Sequence, residues 1–451
     1  MAQDHAQAVG SYPVDRDTAD VSNTGRPDQA HVPVNGADAG GPEPSRLARR
    51  LGVFDAVVLG LGSMIGAGIF AALGPAAAAA GSGLLVGLAV AAVVAYANAT
   101  SSAQLAAVYP QAGGTYVYGR ETLGPLWGYL AGWGFVVGKT ASLSAMALTV
   151  GAYAFPGYER PIGIAAVVVM AAVNYRGVEK TANLTRLIVA AVLLALAIVV
   201  VATLAGPDTG LDNIDGLTRG GIGGILEAAG LLFFAFAGYA RIATLGEEVT
   251  DPTRTIPRAI PLALGITLLV YATVAVSSLL AVGPDVLAGS SAPLAAAAQG
   301  LSWAVPLVRI GGTIAALGVL LSLLAGVSRT TFAMARNHEL PSWLGAVHPV
   351  HKTPYRAEIA AAVAIVAVVS VVDLRGAIGF SSFAVLTYYA IANASAFTQP
   401  DSERRWPRWL QVVGFVGCAV LALALPLVSV ISGAAVLALG AAIWLIRHRD
   451  G

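Results

Sequence analysis

Long runs of apolar residues alternate with short polar segments along most of the chain. There are twelve such runs after residue 50, each near the ~20 residues that a helix needs to cross a bilayer. The fourth and ninth runs are short and the third and eighth are long, so the same order recurs five helices later. The pattern predicts an all-α membrane protein with 12 transmembrane helices, built as two five-helix halves with two helices appended. The runs cover about 54–80, 84–107, 124–154, 161–175, 184–206, 222–246, 258–282, 303–334, 357–373, 377–397, 409–429 and 431–446.

The first 45 residues lack this pattern. They are rich in Asp, Gly, Pro, Ala and Gln and contain few large apolar side chains, so they cannot bury enough surface to offset the entropy of ordering. We predict a disordered tail over 1–45, a membrane domain over 46–446 and a short C-terminal segment over 447–451. The first apolar run is too long for the core of a signal peptide.

Basic residues are distributed unevenly between the predicted loops. Cytoplasmic loops of membrane proteins are enriched in Lys and Arg. If the tail is cytoplasmic, only four of the 26 Lys and Arg residues fall outside: Arg160, Arg219, Arg309 and Arg375. We therefore expect both termini in the cytoplasm and the helices in the plasma membrane.

Composition excludes several classes of function. The chain is 57% apolar and 11% charged, with a net charge of +1, so it has no basic surface for nucleic acid. Cys418 is the only cysteine and all six histidines lie outside the apolar runs, which argues against a metal site and against acid–base catalysis at bilayer depth. No Walker or GxGxxG-type sequence occurs in a strand-to-helix context. We expect no cofactor and no enzymatic activity. The energy for transport is expected to come from an ion gradient or from exchange.

Glycines cluster near the middle of the first and sixth runs, which read GLGSMIGAGIF over 60–70 and FFAFAGYAR over 233–241. If both helices unwind there, new helix ends expose N–H groups and carbonyl oxygens at mid-depth. An amino acid zwitterion fits such ends, its carboxylate at the N–H groups and its ammonium at the carbonyls. Alternatively the small residues only allow close helix packing. The pattern alone leaves both interpretations open.

Lys139 is the only basic residue deep inside an apolar run, about 21 Å along the third predicted helix at ~1.5 Å per residue. It either faces a central cavity, where it titrates or steers a substrate carboxylate, or it snorkels or bonds to carbonyls for packing. After the sixth run lies a charged group that forms either an inner gate or a solvated, salt-bridged loop. Its gate candidates are Glu247, Glu248, Arg254 and Arg258.

Four segments of the chain resemble the amino acid, polyamine and organocation (APC) superfamily of transporters. They are GSMIGAGIF over 62–70, YPQAGGTYVYGRETLG over 109–124, FFAFAGYARIATLGEEVTDPTRTIPRAI over 233–260 and SRTTFAMARNHELPSWLGAVHPVHKTPYRA over 328–357. The resemblance implies a LeuT-like fold, in which helices 1–5 and 6–10 are inverted repeats and helices 1 and 6 are discontinuous. It also implies that the break in helix 1 holds the substrate carboxylate, the break in helix 6 holds its ammonium, and Phe234 or Phe236 forms a lid. The matching positions are Ser63, Met64, Ile65, Gly66, Ala67 and Gly68 in the first break, and Phe234, Ala235, Phe236, Ala237 and Gly238 in the second.

Two departures from the family pattern bear on the charge of the substrate and on proton coupling. Ala240 stands where many carriers of cationic amino acids have an acidic residue, and Val192 stands where some proton-coupled relatives have a lysine. We expect a secondary transporter of amino acids that works by alternating access, coupled to protons or to exchange, with neutral substrates preferred. The alternatives are a cationic amino acid or polyamine carrier, and a sensor of the same fold that binds without transporting.

Overall fold

The computed structural model describes residues 51–109, 113–177, 182–239, 242 and 249–447. Within these ranges the chain is helical and has no β-strand, apart from an isolated bridge between Leu51 and Val249. The predicted tail, residues 448–451, Ala240 and the gate candidates Glu247 and Glu248 lie outside the described residues.

The helices run in the order that the apolar pattern predicts, and two short helices lie in connecting segments. In these ranges they are α1 (Val53–Met64), α2 (Ala67–Ala80), α3 (Leu84–Val108), α4 (Thr115–Leu123), α5 (Pro125–Ala154), α6 (Glu159–Tyr175), α7 (Ala182–Leu204), α8 (Gly221–Phe236), α9 (Pro252–Gly289), α10 (Pro293–Ala297), α11 (Ala304–Arg336), α12 (Tyr355–Val371), α13 (Leu374–Thr398), α14 (Arg408–Ala424) and α15 (Leu427–Arg447).

Eight helical stretches of the described chain are long and apolar enough to cross a membrane. One of them, 67–108, contains both α2 and α3, joined by a 3-10 turn over Gly81–Gly83. Two further apolar helices, α1 and α14, are shorter. The helices indicate a multi-pass membrane protein.

Helices α5 and α13 form the centre of the bundle. The most apolar window of each is 78% buried within the protein, whereas that of α15 is 17% buried. Helix α5 packs against α4, α6, α11 and α13, and α8 packs against α2 and α3. Because α15 buries so little against its neighbours, its apolar surface is left for lipid.

Several helix boundaries differ from the prediction; α9, for example, covers Pro252–Gly289, where the seventh run predicts 258–282. The eleventh run was expected to continue to residue 429, but α14 ends at Ala424 and α15 begins at Leu427. Pro426 explains the difference, because proline cannot donate the helical N–H bond and disfavours helical geometry in the residue before it. Leu425 is accordingly extended, with ψ of 163°.

A buried polar network joins α3, α13 and α14. The Asn393 amide donates to the side-chain oxygen of Asn98 at 2.6 Å and accepts from Ser101 at 2.7 Å. Asn98 in turn donates to the sulfur of Cys418 at 3.2 Å. Each member is paired, so the network fixes three helices relative to one another without unsatisfied groups.

Two segments that carried the family resemblance contact each other. Arg120 and Tyr116 of α4 both bind Glu339, which follows α11; Arg120 forms an ion pair with it, and the Tyr116 hydroxyl lies 2.7 Å from its carboxylate. Glu339 is buried. These side chains fix α4 against the end of α11.

Candidate substrate site at two helix breaks

The first predicted run is divided into α1 and α2 at Ile65 and Gly66. Ile65 has φ −78° and ψ 55°, and the Gly66 N–H donates to the Met64 carbonyl at 2.8 Å, which is the geometry of an inverse γ-turn. Gly66 precedes α2 and no side chain caps that helix. The first N–H groups of α2 have no acceptor within the helix, so they and the positive end of the helix dipole suit an anion.

The sixth predicted run is also interrupted. Helix α8 ends at Phe236 and a 3-10 turn follows over Ala237–Tyr239. The last carbonyl groups of a helix lack helical donors and carry partial negative charge. Two tyrosine hydroxyls from other helices donate to this end of α8: Tyr271 to the Ala235 carbonyl at 3.1 Å, and Tyr389 to the Ala237 carbonyl at 3.1 Å.

The two breaks lie against each other. A Cβ atom on Gly238 would stand 2.1 Å from the carbonyl oxygen of Ser63, and one on Gly68 would stand 2.8 Å from the Cα of Ala235. No side chain fits at either point, so glycine is required for the backbones to approach. The structure therefore brings the two predicted groups of site residues together.

Tyr271 joins the two breaks directly. Its hydroxyl lies 2.5 Å from the Met64 carbonyl at the end of α1 as well as near that of Ala235. Its ring is fully buried and packs against Phe236 at 5.2 Å between centroids. Helix α9 thus supplies a donor shared by both interrupted helices.

The predicted site residues differ in exposure. Ser63, Phe234 and Gly238 are half-buried, and the other predicted members of the two breaks are buried. Of the two lid candidates, Phe236 is enclosed by the packing around Tyr271, and Phe234 keeps part of its ring exposed.

Two further contacts join other helices to the two interrupted runs. The Tyr153 hydroxyl of α5 donates to the Phe70 carbonyl at 2.9 Å and accepts from the Leu294 N–H at 3.2 Å. This seats α10 against α2 and α5. Glu227 of α8 forms an ion pair with Arg375 of α13 at 2.6 Å.

Lys139 lies in the middle of α5 and is 9% exposed. In the described part of the chain its ammonium has neither a hydrogen-bond partner nor an ion pair, and no described contact joins it to the two breaks. Its neighbours along the helix face contact α13: Phe135 meets Tyr388 at 5.7 Å, and Ser142 and Ser381 share a hydrogen bond of 2.6 Å.

The described gate candidates lie on the surface at the start of α9. Arg254 is 3.6 Å from Asp251, and both Arg254 and Arg258 are exposed. The Thr250 N–H donates to the Leu51 carbonyl at 2.9 Å, which ties the residues before α9 to those before α1. Their role as a gate stays a prediction.

Sequence reasoning missed Tyr153, Tyr271 and Tyr389. The available signal was a tyrosine within an apolar run, because a buried phenol hydroxyl normally requires a hydrogen-bond partner. The partners here are backbone carbonyls of the two broken runs. The breaks free the carbonyls of Met64 and Ala237, whereas that of Phe70 lies within α2, and the sequence left the breaks undecided.

Comparison with known proteins indicates the family of the chain. The family model described as amino acid permease matches residues 51–446. An uncharacterized transporter of Mycobacterium tuberculosis is 62% identical over 407 residues, covering 90% of this chain and 92% of the relative. A branched-chain amino acid permease of Bacillus subtilis is 29% identical over 335 residues, 68% of this chain and 72% of the relative.

A cationic amino acid transporter of Arabidopsis thaliana is also similar, at 27% identity over 385 residues, which is 78% of this chain and 66% of the relative. The family match covers most of the chain, and the named relatives carry solutes across membranes. The chain therefore belongs to the amino acid permease family of the APC superfamily, and it is a multi-pass membrane transporter with no enzymatic role.

Proposed function

We propose that the protein is a secondary active transporter of amino acids in the plasma membrane and that it works by alternating access around its two helix breaks. The observation that carries this proposal is the contact of the breaks, in which Gly68 at the N-terminal end of α2 packs on Ala235 at the C-terminal end of α8. Apposed helix ends of opposite polarity suit one small zwitterion better than either charge alone.

In this proposal the substrate carboxylate binds the first break. Residues Ser63 to Gly68 supply the turn, and the N–H groups that open α2 supply donors and a positive helix end. Ser63 is half-buried, and its hydroxyl donates to the Leu59 carbonyl at 2.9 Å. A charged carboxylate gains more from such donors than a neutral group does.

The ammonium binds the carbonyl oxygens of the second break, Phe234 to Gly238. Tyr271 and Tyr389 orient two of these carbonyls by donating to them. Phe234 is the better lid candidate, because its ring is partly exposed and that of Phe236 is enclosed. An aromatic lid would shield the zwitterion from water and strengthen its electrostatic contacts.

The proposed arrangement is LeuT-like, with twelve spans in two inverted repeats of five plus two helices. Lengths support it: α5 and α11, at positions three and eight, have 30 and 33 residues, and α6 and α12, at positions four and nine, both have 17. Short helices also follow the second and seventh spans, as α4 and α10. With twelve spans both termini lie on one side, which the basic residues favour as the cytoplasm.

Energy is proposed to come from proton coupling or exchange, with Lys139 as the candidate coupling or cavity residue. Inner closure is assigned to Glu247, Glu248, Arg254 and Arg258. Ion pairs that form in one state and break in the other are a common way to close such a path.

Neutral amino acids are the proposed substrates, because Ala240 provides no carboxylate for a cationic side chain. The Bacillus subtilis relative is named for branched-chain amino acids, which are neutral. The Arabidopsis thaliana relative is named for cationic amino acids, so a cationic amino acid or polyamine carrier is the alternative.

The test is uptake of radiolabelled amino acids into proteoliposomes that hold the purified protein. We expect leucine, isoleucine or valine to accumulate, and lysine, arginine and putrescine to compete weakly. Uptake driven by an imposed proton gradient supports coupling, and uptake only into vesicles preloaded with amino acid supports exchange. Binding without accumulation would contradict transport and indicate a sensor.

A further inference from the structure

Lys139 presents a buried positive charge for which the structure describes no partner. The side chain is 9% exposed, and in the described ranges it forms no hydrogen bond or ion pair. An ammonium group at bilayer depth is costly unless it is paired or meets water. Packing alone therefore does not explain why an ammonium group is kept at this position.

Snorkelling does not account for this lysine. It lies 14 residues from Pro125 and 15 from Ala154, so at ~1.5 Å per residue each end of α5 is more than about 20 Å away. A lysine side chain cannot reach the membrane surface over that distance. The alternative of bonding to carbonyl groups also lacks a described partner.

The contacts of α5 place Lys139 on an interior face of the bundle. At ~100° per residue, Gly132, Phe135, Ser142 and Tyr153 all lie within about 60° of it around the helix axis. Gly132 lies against Tyr116 of α4 and Met334 of α11. In the order given, the contacts of the other three are Tyr388 of α13, Ser381 of α13 and Phe70 of α2. The face that carries Lys139 thus meets four helices of the protein.

Of the four helices that this face meets, three contain no acidic residue, and the one acidic residue of α4, Glu121, is exposed. The sequences of α2, α11 and α13 contain no aspartate or glutamate, and α5 itself contains none. The charge of Lys139 is therefore not neutralised by an acidic residue on its own helix or on these three. An uncompensated charge in a low-dielectric interior acts over a longer range than one in water.

We propose that Lys139 is a charge filter of the transport path, a specificity-determining residue that disfavours substrates with cationic side chains and favours those with neutral or anionic ones. This inference rests on the proposed amino acid transport and explains its preference in physical terms. The filter needs no direct contact. For two unit charges about 10 Å apart at an effective dielectric constant of about 20, repulsion changes affinity by a factor of roughly 15.

The test compares pairs of amino acids that differ mainly in charge. Inhibition constants are measured against uptake of a neutral amino acid into proteoliposomes, for arginine with citrulline and for glutamate with glutamine. The variants are Lys139→Met, Lys139→Gln and Lys139→Arg. Arg176→Met is the control, because it removes an exposed charge that lies just after α6.

In Lys139→Met and Lys139→Gln we expect the arginine-to-citrulline ratio of inhibition constants to fall about tenfold, and the glutamate-to-glutamine ratio to rise about tenfold. Lys139→Arg and Arg176→Met should keep both ratios near those of the wild type. Opposite shifts identify an electrostatic effect, because a structural defect weakens both members of a pair alike. Unchanged ratios in the Met and Gln variants overturn the filter. If the wild-type protein takes up no amino acid at all, the proposed function fails instead.

Discussion

The hydroxyl of Tyr271 lies 2.5 Å from the carbonyl oxygen of Met64 and 3.1 Å from that of Ala235. Met64 ends α1 and Ala235 lies in the last turn of α8. A phenol has one proton to donate, so the two carbonyls share it. The rest of the Tyr271 ring is fully buried, which makes this hydroxyl a fixed link between the two interrupted helices.

We expect Tyr271→Phe to impair transport more than it impairs folding. The change keeps the ring and removes the shared donor, which leaves buried carbonyl groups without it; such a loss amounts to about 1–3 kcal/mol. If the hydroxyl positions the ammonium site, KM for amino acids rises roughly tenfold while the amount of folded protein in detergent stays near that of the wild type. The measurement is initial uptake against substrate concentration.

Tyr129→Phe is the matched control. Tyr129 is also fully buried, but in the described structure its hydroxyl has no hydrogen-bond partner. Its removal should leave KM unchanged. Equal effects of the two substitutions would show that Tyr271 acts only as part of the core.

Gly238→Ala tests the contact of the two breaks. The new methyl group would stand 2.1 Å from the Ser63 carbonyl, an acceptor on the backbone that cannot move aside as a side chain does. We expect the breaks to separate and uptake to fall by more than about tenfold, since overpacking of a tight contact costs about 1–3 kcal/mol.

Gly223→Ala serves for comparison because Gly223 lies in α8, the helix that leads into the turn of Gly238, and a Cβ atom there meets nothing within 4 Å. This variant should transport like the wild type. Normal uptake by Gly238→Ala would mean that the close approach of the breaks is not needed for transport.

The order of helices was predictable because apolar runs near the length of a bilayer record the spans almost directly. The end of α14 was not, since the apolar run continues through Pro426 and only the lost N–H donor stops the helix there. Hydropathy averages over many residues and does not register one missing hydrogen bond.

The candidate site, too, was predictable only in part. Gly66 and Gly238 could be singled out as small residues in apolar runs, but their meaning depends on which backbone approaches them, and this is a property of the folded bundle. Tyr271 could not be assigned from the sequence, because its partners are carbonyl groups that ordinary helices would keep bonded. Lys139 was visible as a charge, and its lack of a described partner required the structure.

The buried network around Asn393 should contribute to stability and not to substrate choice. Asn393→Leu removes the bonds to Asn98 and Ser101, which leaves both polar groups buried and short of a partner. We expect a lower Tm in detergent, corresponding to about 2–4 kcal/mol of destabilisation, because each buried group left without a partner costs about 1–3 kcal/mol.

Ser432→Ala is the control. It removes an exposed hydroxyl on α15 that bonds within its own helix, and it should change Tm little. A normal Tm for Asn393→Leu would contradict this role.

Glu227 and Arg375 are expected to help close the outer side of the transporter. Their ion pair joins α8, which carries one break, to α13. Both side chains are partly exposed, so the pair is expected to be worth no more than about 1 kcal/mol. Glu227→Gln should therefore change the equilibrium between the outward-closed and outward-open states by less than about fivefold.

Labelling of an introduced cysteine measures this change. Ala296 of α10 is 7% exposed, and a cysteine placed there reports opening through its reaction with a membrane-impermeant maleimide added outside. The native Cys418 is 1% exposed and gives little background. We expect faster labelling in Glu227→Gln and a return toward the wild-type rate when the charges are exchanged by Glu227→Arg with Arg375→Glu. Equal labelling rates in the wild type and Glu227→Gln would remove the pair from the closing mechanism.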